Sequence, residues 1–265
     1  MPAALPLVLF LALIPAQIAY SYVPDSALSA AAVATVAIFF CASAADAASV
    51  WGARRAALLL GAAGGIGFLS EVLGVASGFP FGSYSYGGGL GPEAGGVPLL
   101  IALAWAMMAR PSWVVAGLLS SRRAARVVLA AGALCAWDLF LDPQMTRDGF
   151  WSWLDGGSYE GIPFTNFLGW LAVGLITFAV WTALRADVRV PARAGLPAGF
   201  SLVALGLYLW TWIGETFAHL FVWQVPKVAA VGFVGMGLFA LPALVRLVGL
   251  RPAPTPRPGV GARAR

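Results

Sequence analysis

Long apolar stretches follow one another through this sequence almost without pause, and they constrain the chain more than any other feature. They cover residues 3–22, 27–45, 56–76, 97–119, 124–144, 165–184, 199–221 and 228–248. Each is close to the roughly 20 residues that an α-helix needs to cross the hydrocarbon core of a bilayer. In lipid the backbone must satisfy its own N–H and C=O groups, so such stretches are helices. Only 10% of the 265 residues are charged, against about 25% in an ordinary soluble domain. So few charges cannot clothe a water-facing surface. The expected fold is therefore all-α: a polytopic transmembrane helical bundle of about eight spans. The count falls to seven if the fourth stretch, interrupted by Arg110-Pro111, does not cross. Residues 1–248 read as a single transmembrane domain. Residues 249–265, rich in Pro, Arg and Ala, read as a disordered basic tail.

The arginines suggest an orientation. Arg54 and Arg55 follow the second stretch, and Arg122, Arg123 and Arg126 follow the fourth. Arg185, Arg189 and Arg193 follow the sixth, and Arg246, Arg251, Arg257, Arg263 and Arg265 end the chain. With eight spans these segments share one side, whereas the other side carries only Arg147 and Lys227. The positive-inside rule then predicts a multi-pass plasma-membrane protein with both termini in the cytoplasm. The net charge of +5 sits at span ends and in the tail. That placement orients a membrane protein and excludes nucleic acid as the partner. The first stretch lacks a basic segment before it and is long, so it reads as an uncleaved span. Cys41 and Cys135 lie within apolar runs without a CxxC and read as small core residues.

Two connecting segments are unusual. Residues 77–96 read SGFPFGSYSYGGGLGPEAGG, and residues 143–164 read PQMTRDGFWSWLDGGSYEGIPF. Both are predicted to face outward. Gly and Pro permit tight turns that fold back among helices. Trp and Tyr favour the boundary between lipid and water. The rings therefore form either an aromatic belt or two lids over a lipid-facing pocket.

Acidic residues inside the spans supply the chemistry. Glu71 lies late in the third stretch, Asp138 and Asp142 late in the fifth, and Glu215 and His219 late in the seventh. These odd-numbered spans run in the same direction, so the five residues fall at a similar depth. Asn166 opens the sixth stretch at that level. Asp138 and Asp142 are four apart and share a helix face. Tyr208, Thr211, Glu215 and His219 step by 3, 4 and 4 along a second face. Gly67 and Gly74 flank Glu71 on its own face and allow close helix approach there. An ionisable group at a span centre costs roughly 2.5–3.5 kcal/mol, so a cluster of them is a functional hypothesis. Taken singly, Asp142 precedes Pro143 and reads also as a helix end. Asp46, at the opposite face, reads as structural. Carboxyl groups crowded in a dry site cannot all ionise, which leaves a neutral acid beside an ionised partner. That pairing suits proton donation and water activation, and also proton-coupled transport.

Other chemistries fit poorly. A single histidine excludes a His-rich di-iron oxygenase or desaturase. There is no nucleotide-binding glycine loop, no GxSxG elbow and no DDxxD-type magnesium site. Neither a cofactor nor a metal is expected.

Three strings carry a family resemblance: GFPFGSYSYGGGLGPEAGGVP at 78–98, DLFLDPQM at 138–145, and GFWSWLDGGSYEGIPFTNFLGW at 149–170. They resemble the CruF-type carotenoid hydratases, a family that includes bisanhydrobacterioruberin hydratase and γ-carotene 1′,2′-hydratase. The span pattern extends the resemblance over most of the chain, although the first two spans and the tail add little. The resemblance implies a carotenoid 1,2-hydratase. Such an enzyme adds water across the terminal ψ-end double bond of an acyclic carotenoid end, giving a tertiary alcohol without a redox cofactor. The implied partners are a lipid-soluble carotenoid, water, membrane lipid and other enzymes of the pathway.

Residue chemistry suggests the roles. Either Asp138 or Glu71 is the general acid, with its partner activating water. Asp142 and Glu215 tune them, and Asn166 orients the water. Trp137, Trp151, Trp153, Trp170, Tyr84 and Tyr86 offer faces for a carbocation, and His219 joins the substrate-binding set. Two other classes fit the same residues. One is a carotenoid cyclase or isomerase that loses a proton instead of gaining water. The other is non-enzymatic, a proton-coupled transporter or carotenoid-binding protein.

Overall fold

The computed structural model describes residues 4–186 and 196–249. Eight helices run through them: α1 Leu5–Tyr20, α2 Asp25–Trp51, α3 Ala53–Ser77, α4 Leu100–Leu119, α5 Arg123–Arg147, α6 Phe164–Ala183, α7 Leu202–Phe217 and α8 Pro226–Gly249. A π-helical turn, Ala218–Val222, extends α7. Six of the eight are long and apolar enough to cross a membrane, and α1 is a shorter apolar helix. The exterior carries large exposed apolar side chains, such as Leu69, Val128, Ile176, Leu238 and Val245, as a lipid-facing surface does. The protein is an all-α polytopic membrane bundle. Arg189, Arg193 and the expected basic tail from residue 250 lie outside the described residues.

Around α4 the other helices close in the order α1, α2, α3, α6, α5, α8, α7 and back to α1. Every residue of α4 from Trp105 to Leu118 is buried. This central helix is the one whose continuity the sequence put in question, and it is unbroken. Pro111 removes the N–H that would have bonded the Met107 carbonyl. The Ser43 hydroxyl of α2 donates to that carbonyl at 2.5 Å instead. Arg110 is fully buried, with its Nε 2.9 Å from Oδ2 of Asp46, a second hydrogen bond to the Gly199 carbonyl and its guanidinium 4.3 Å from the Trp51 ring. Asp46 also accepts from the Ser201 hydroxyl. The charge that interrupts the fourth stretch is thus half of a buried ion pair joining α4 to α2 and α7.

The same proline logic corrects the reading of Asp142 as a helix end. Helix α5 passes through Pro143 to Arg147. The carbonyl left unpaired there belongs to Leu139, and the Tyr159 hydroxyl donates to it at 2.7 Å. A second correction concerns Arg126, which is not a loop charge. It lies inside α5, buried over the Trp113 ring at 4.1 Å and donating to the Trp113 carbonyl.

Removing the Ser43 hydroxyl is expected to destabilise the bundle by roughly 1–2 kcal/mol, the cost of a carbonyl left unpaired in the interior. In a Pro111→Ala background the restored N–H serves Met107, so Ser43→Ala should then cost little. Thermal unfolding of the four proteins of this cycle in detergent measures the coupling.

The bundle has two distinct ends. Arg54, Arg55, Arg122, Arg123 and Arg185 mark one. The other carries the two aromatic segments, which pair with each other. Strand β1, Tyr84–Tyr86, runs antiparallel to β4, Trp151–Trp153, with Tyr84 opposite Trp153 and Tyr86 opposite Trp151. Between these strands lie two further short ones, β2 Glu93–Ala94 and β3 Val97–Pro98, which pair as a hairpin. Alternation along β1 and β4 points the four rings to one side and Ser85 and Ser152 to the other. The rings face down into the bundle, so the ribbon roofs its interior.

Candidate active site

Beneath the ribbon lies a cavity of about 420 Å³. Its walls come from α1, α2, α4, α5 and α7, with Glu71 from α3 and Asn166 and Trp170 from α6. The wall is mostly aliphatic and aromatic. Glu71, Asp142, Asn166 and Glu215 interrupt it. Carboxyl groups from three helices therefore open into one chamber.

Glu71 is held by three donors. Tyr84 Oη lies 2.5 Å and Tyr86 Oη 2.9 Å from its Oε2, and Trp105 Nε1 lies 3.2 Å from Oε1. The two flanking glycines make this possible. A Cβ on Gly67 would lie 2.2 Å from the Trp105 ring, and one on Gly74 would lie 2.7 Å from the Tyr84 hydroxyl. At these two glycines the close approach to α3 is made by side chains, among them the two rings that bind its acid. Burial first, and the neighbouring Glu71 second, push the Tyr84 and Tyr86 hydroxyls above the ordinary phenol value, so both stay protonated as donors.

A second acidic group lies beside it. Asn166 Nδ2 donates to Asp138 Oδ2 at 2.7 Å and also to Asp142 Oδ2. Trp151 Nε1 donates to Asp142 Oδ1 at 2.7 Å. Two carboxyl oxygens converging on one amide nitrogen in the interior cannot both carry full charge. Asp142 opens into the cavity, whereas Asp138 is fully buried behind it and does not line the chamber. The ribbon and the acids are therefore one unit, since Tyr84, Tyr86 and Trp151 each hydrogen-bond a carboxyl.

Glu215 lies on the α7 wall. His219 does not reach the cavity. Its Nδ1 lies 2.9 Å from the Glu215 carbonyl, which only accepts, so that nitrogen carries the hydrogen. Its ring packs between Phe140 and Trp223. The four-residue step does bring it beside Glu215, with Nδ1 3.6 Å from Glu215 Oε2, but only Glu215 reaches the chamber. Tyr208 likewise turns away and donates to the Ala133 carbonyl.

The predicted aromatic residues Trp137, Trp151, Trp153, Trp170, Tyr84 and Tyr86 all line the cavity. Trp105 and Trp170 stack with centroids 4.0 Å apart, and Trp137 meets Trp170 edge-on at 5.9 Å. Sequence reasoning missed Trp105, which is both a ring in this stack and a donor to Glu71. The available signal was Gly67, whose missing side chain implies a bulky partner. It also missed the contribution of α1 and α2, through residues such as Gln17, Tyr20 and Phe39. Nothing in their apolar sequence distinguishes a cavity wall from a lipid-facing one.

Known proteins resemble this chain over most of its length. A family described as "Carotenoid biosynthesis protein" matches residues 25–239, from the first residue of α2 into α8. The chain is 32% identical over 128 residues to a protein of Haloarcula japonica named bisanhydrobacterioruberin hydratase. That stretch is 46% of this chain and 43% of the relative, so the match spans less than half of either. No solved structure matches. The family match covers the helices that carry Glu71, Asp142, Asn166 and Glu215 together with the ribbon above them, and the chain belongs to the carotenoid biosynthesis protein family.

Proposed function

We propose that this protein hydrates the terminal ψ-end double bond of an acyclic carotenoid, with the Asp138–Asp142 pair as proton donor and Glu71 as base. One observation carries the reading: two separate carboxyl sites, at Glu71 and at Asp142, open into one cavity whose lining is mostly aliphatic and aromatic. The name of the Haloarcula japonica relative supports the choice of hydration.

The two sites differ in their hydrogen bonding. Glu71 accepts from three donors, a set that suits an ionised, acceptor-only carboxylate. The aspartate pair shares one amide group and retains one proton between its members. In the reaction the alkene π bond opens and takes the Asp142 proton at its less substituted carbon. The tertiary cation that forms lies among the rings of Trp105, Trp170, Trp137 and Trp151, where the cation–π effect contributes about 2 kcal/mol or more in a desolvated site. The Glu71 carboxylate adds an opposite charge. Water then attacks the cation, forming the C–O bond, and its proton passes to Glu71. Transfer of one proton from Glu71 back to the aspartate pair resets the site.

A path for transport fits less well. The cavity is confined to the ribbon end, and below it α4 is buried without a break from Met108 to Leu118. The product separates the remaining readings. Expression in cells that accumulate lycopene should yield pigments heavier by one or two waters, detected by mass spectrometry. New pigments of unchanged mass would instead indicate a cyclase or isomerase. Unaltered lycopene held by the protein would indicate a binding protein.

A further inference from the structure

Among the residues lining the cavity, four are exposed on the outside of the bundle: Ile18, Tyr22, Ile213 and Phe217. They belong to two neighbouring segments. Ile18 is on α1, with Tyr22 just beyond its end, and Ile213 and Phe217 are on α7. Each pair is four residues apart, so the two residues of a pair lie one helical turn apart on one face. The seam between α1 and α7 is therefore where the cavity meets the surroundings. Its rim is aliphatic and aromatic. The flanking surface continues with the exposed Leu7 and Leu11 on α1 and with Leu220 and Phe221 beyond α7, so the seam opens toward lipid.

The seam is bounded along its length. Toward the arginine end, Trp210 Nε1 donates to Gln17 Oε1 at 2.6 Å and ties α7 to α1. Toward the ribbon end, the Tyr20 hydroxyl donates to Asp148 Oδ2 at 2.5 Å and ties α1 to the segment that follows α5. In the ring of helices around α4, the members across from this seam are α3, α6 and α5. These carry Glu71, Asn166 and Asp142.

We propose that the α1–α7 seam is the portal through which one end of an acyclic polyene slides from the bilayer, crossing the cavity until its terminus meets the carboxyl wall. The proposal takes the identity of the chain from the carotenoid reading above, but the opening and its direction come from the geometry. The cavity, at about 420 Å³, is near the small end of the roughly 300–1,000 Å³ of ligand pockets. It holds a terminal segment and a water, not a whole carotenoid. The remainder of the chain stays in lipid through the seam, so the two ends of a symmetric polyene react in separate binding events.

Blocking the seam after folding tests this. Single cysteines are placed at Ile18 or Phe217 in a chain lacking Cys41 and Cys135, and at Leu69, exposed on α3 away from the cavity, as a control. Each protein is reconstituted in vesicles and labelled with a bulky maleimide. Lycopene taken up by the protein is followed by absorbance, and the products by mass spectrometry. Labels at Ile18 and Phe217 are expected to slow uptake and product formation at least tenfold relative to the same unlabelled variants. The label at Leu69 should change neither. Uptake by the seam-labelled proteins at the rate of the Leu69 control would overturn the portal. Blocked uptake with lycopene left unhydrated by the unlabelled proteins would uphold the portal and overturn the hydratase reading. Absence of uptake by the unlabelled proteins would overturn both.

Discussion

Asp142→Asn is expected to lower hydratase turnover by about 10²–10⁴-fold, the usual range for losing a positioned general acid, while carotenoid binding changes little. Asparagine keeps the shape and can still accept from Trp151 Nε1, which now donates to Asp142 Oδ1 at 2.7 Å. What it cannot do is hold the transferable proton. Asp138→Asn tests the other half of the pair. Asp138 does not line the cavity, so it acts through Asp142 and Asn166 by sharing charge and fixing orientation. Its replacement should therefore weaken turnover less than that of Asp142. Glu71→Gln should also be severely impaired, because the amide neither neutralises a cation nor takes a proton from water. Initial rates on lycopene in vesicles, with bound pigment measured in parallel, distinguish these outcomes. Turnover of Asp142→Asn close to that of the parent would remove the aspartate pair from the chemistry.

Gly67→Ala should damage both the packing of the bundle and its turnover. The added methyl would lie 2.2 Å from Cγ of Trp105, the atom at which the ring joins its chain, so the indole cannot swing clear by bending its far end. Overpacking of this kind costs about 1–3 kcal/mol. The functional loss should exceed what that figure suggests. Displacing Trp105 withdraws a donor from Glu71 and disturbs the Trp105–Trp170 stack, and a shift of about 1 Å in a reacting group can lower a rate about 10²-fold. A second replacement, Trp105→Leu, should restore much of the thermal stability of Gly67→Ala by making room, yet leave turnover low because the N–H and the ring are gone. Recovery of both stability and turnover would show that Trp105 serves only as filler.

Much of this molecule was legible as pattern. The helix count follows from the solvent requirement of apolar stretches, and that requirement acts locally. The common depth of Glu71, Asp142 and Glu215 followed from counting spans, because each lies late in a span of the same direction. The pairing of Asp138 with Asp142 followed from a four-residue step. The two prolines left the continuity of the fourth and fifth stretches open. Pro111 and Pro143 look like breaks because each deletes a hydrogen bond. Ser43, 64 residues from the carbonyl it satisfies, and Tyr159, 20 residues from its own, make good the loss. Those partners come from other segments, so no local rule finds them. Arg110 looked like an interruption for the same reason, its partner Asp46 being 64 residues away. His219 keeps its four-residue neighbour Glu215 but stands outside the cavity wall, where its ring packs against Phe140 and Trp223.

By itself the sequence determined that the chain is a membrane bundle, which spans carry acids, and that the acids lie at one level, since these depend on composition, length and period. Only the tertiary structure decided which side chains meet. It brought Trp105 to Glu71, folded two distant aromatic segments into one ribbon over the acids, and left the α1–α7 seam open to lipid. Those outcomes depend on how each helix is rotated about its axis and which neighbour it touches. Packing and hydrogen bonding between remote residues set both, and a periodic apolar pattern does not encode them when every face is hydrophobic.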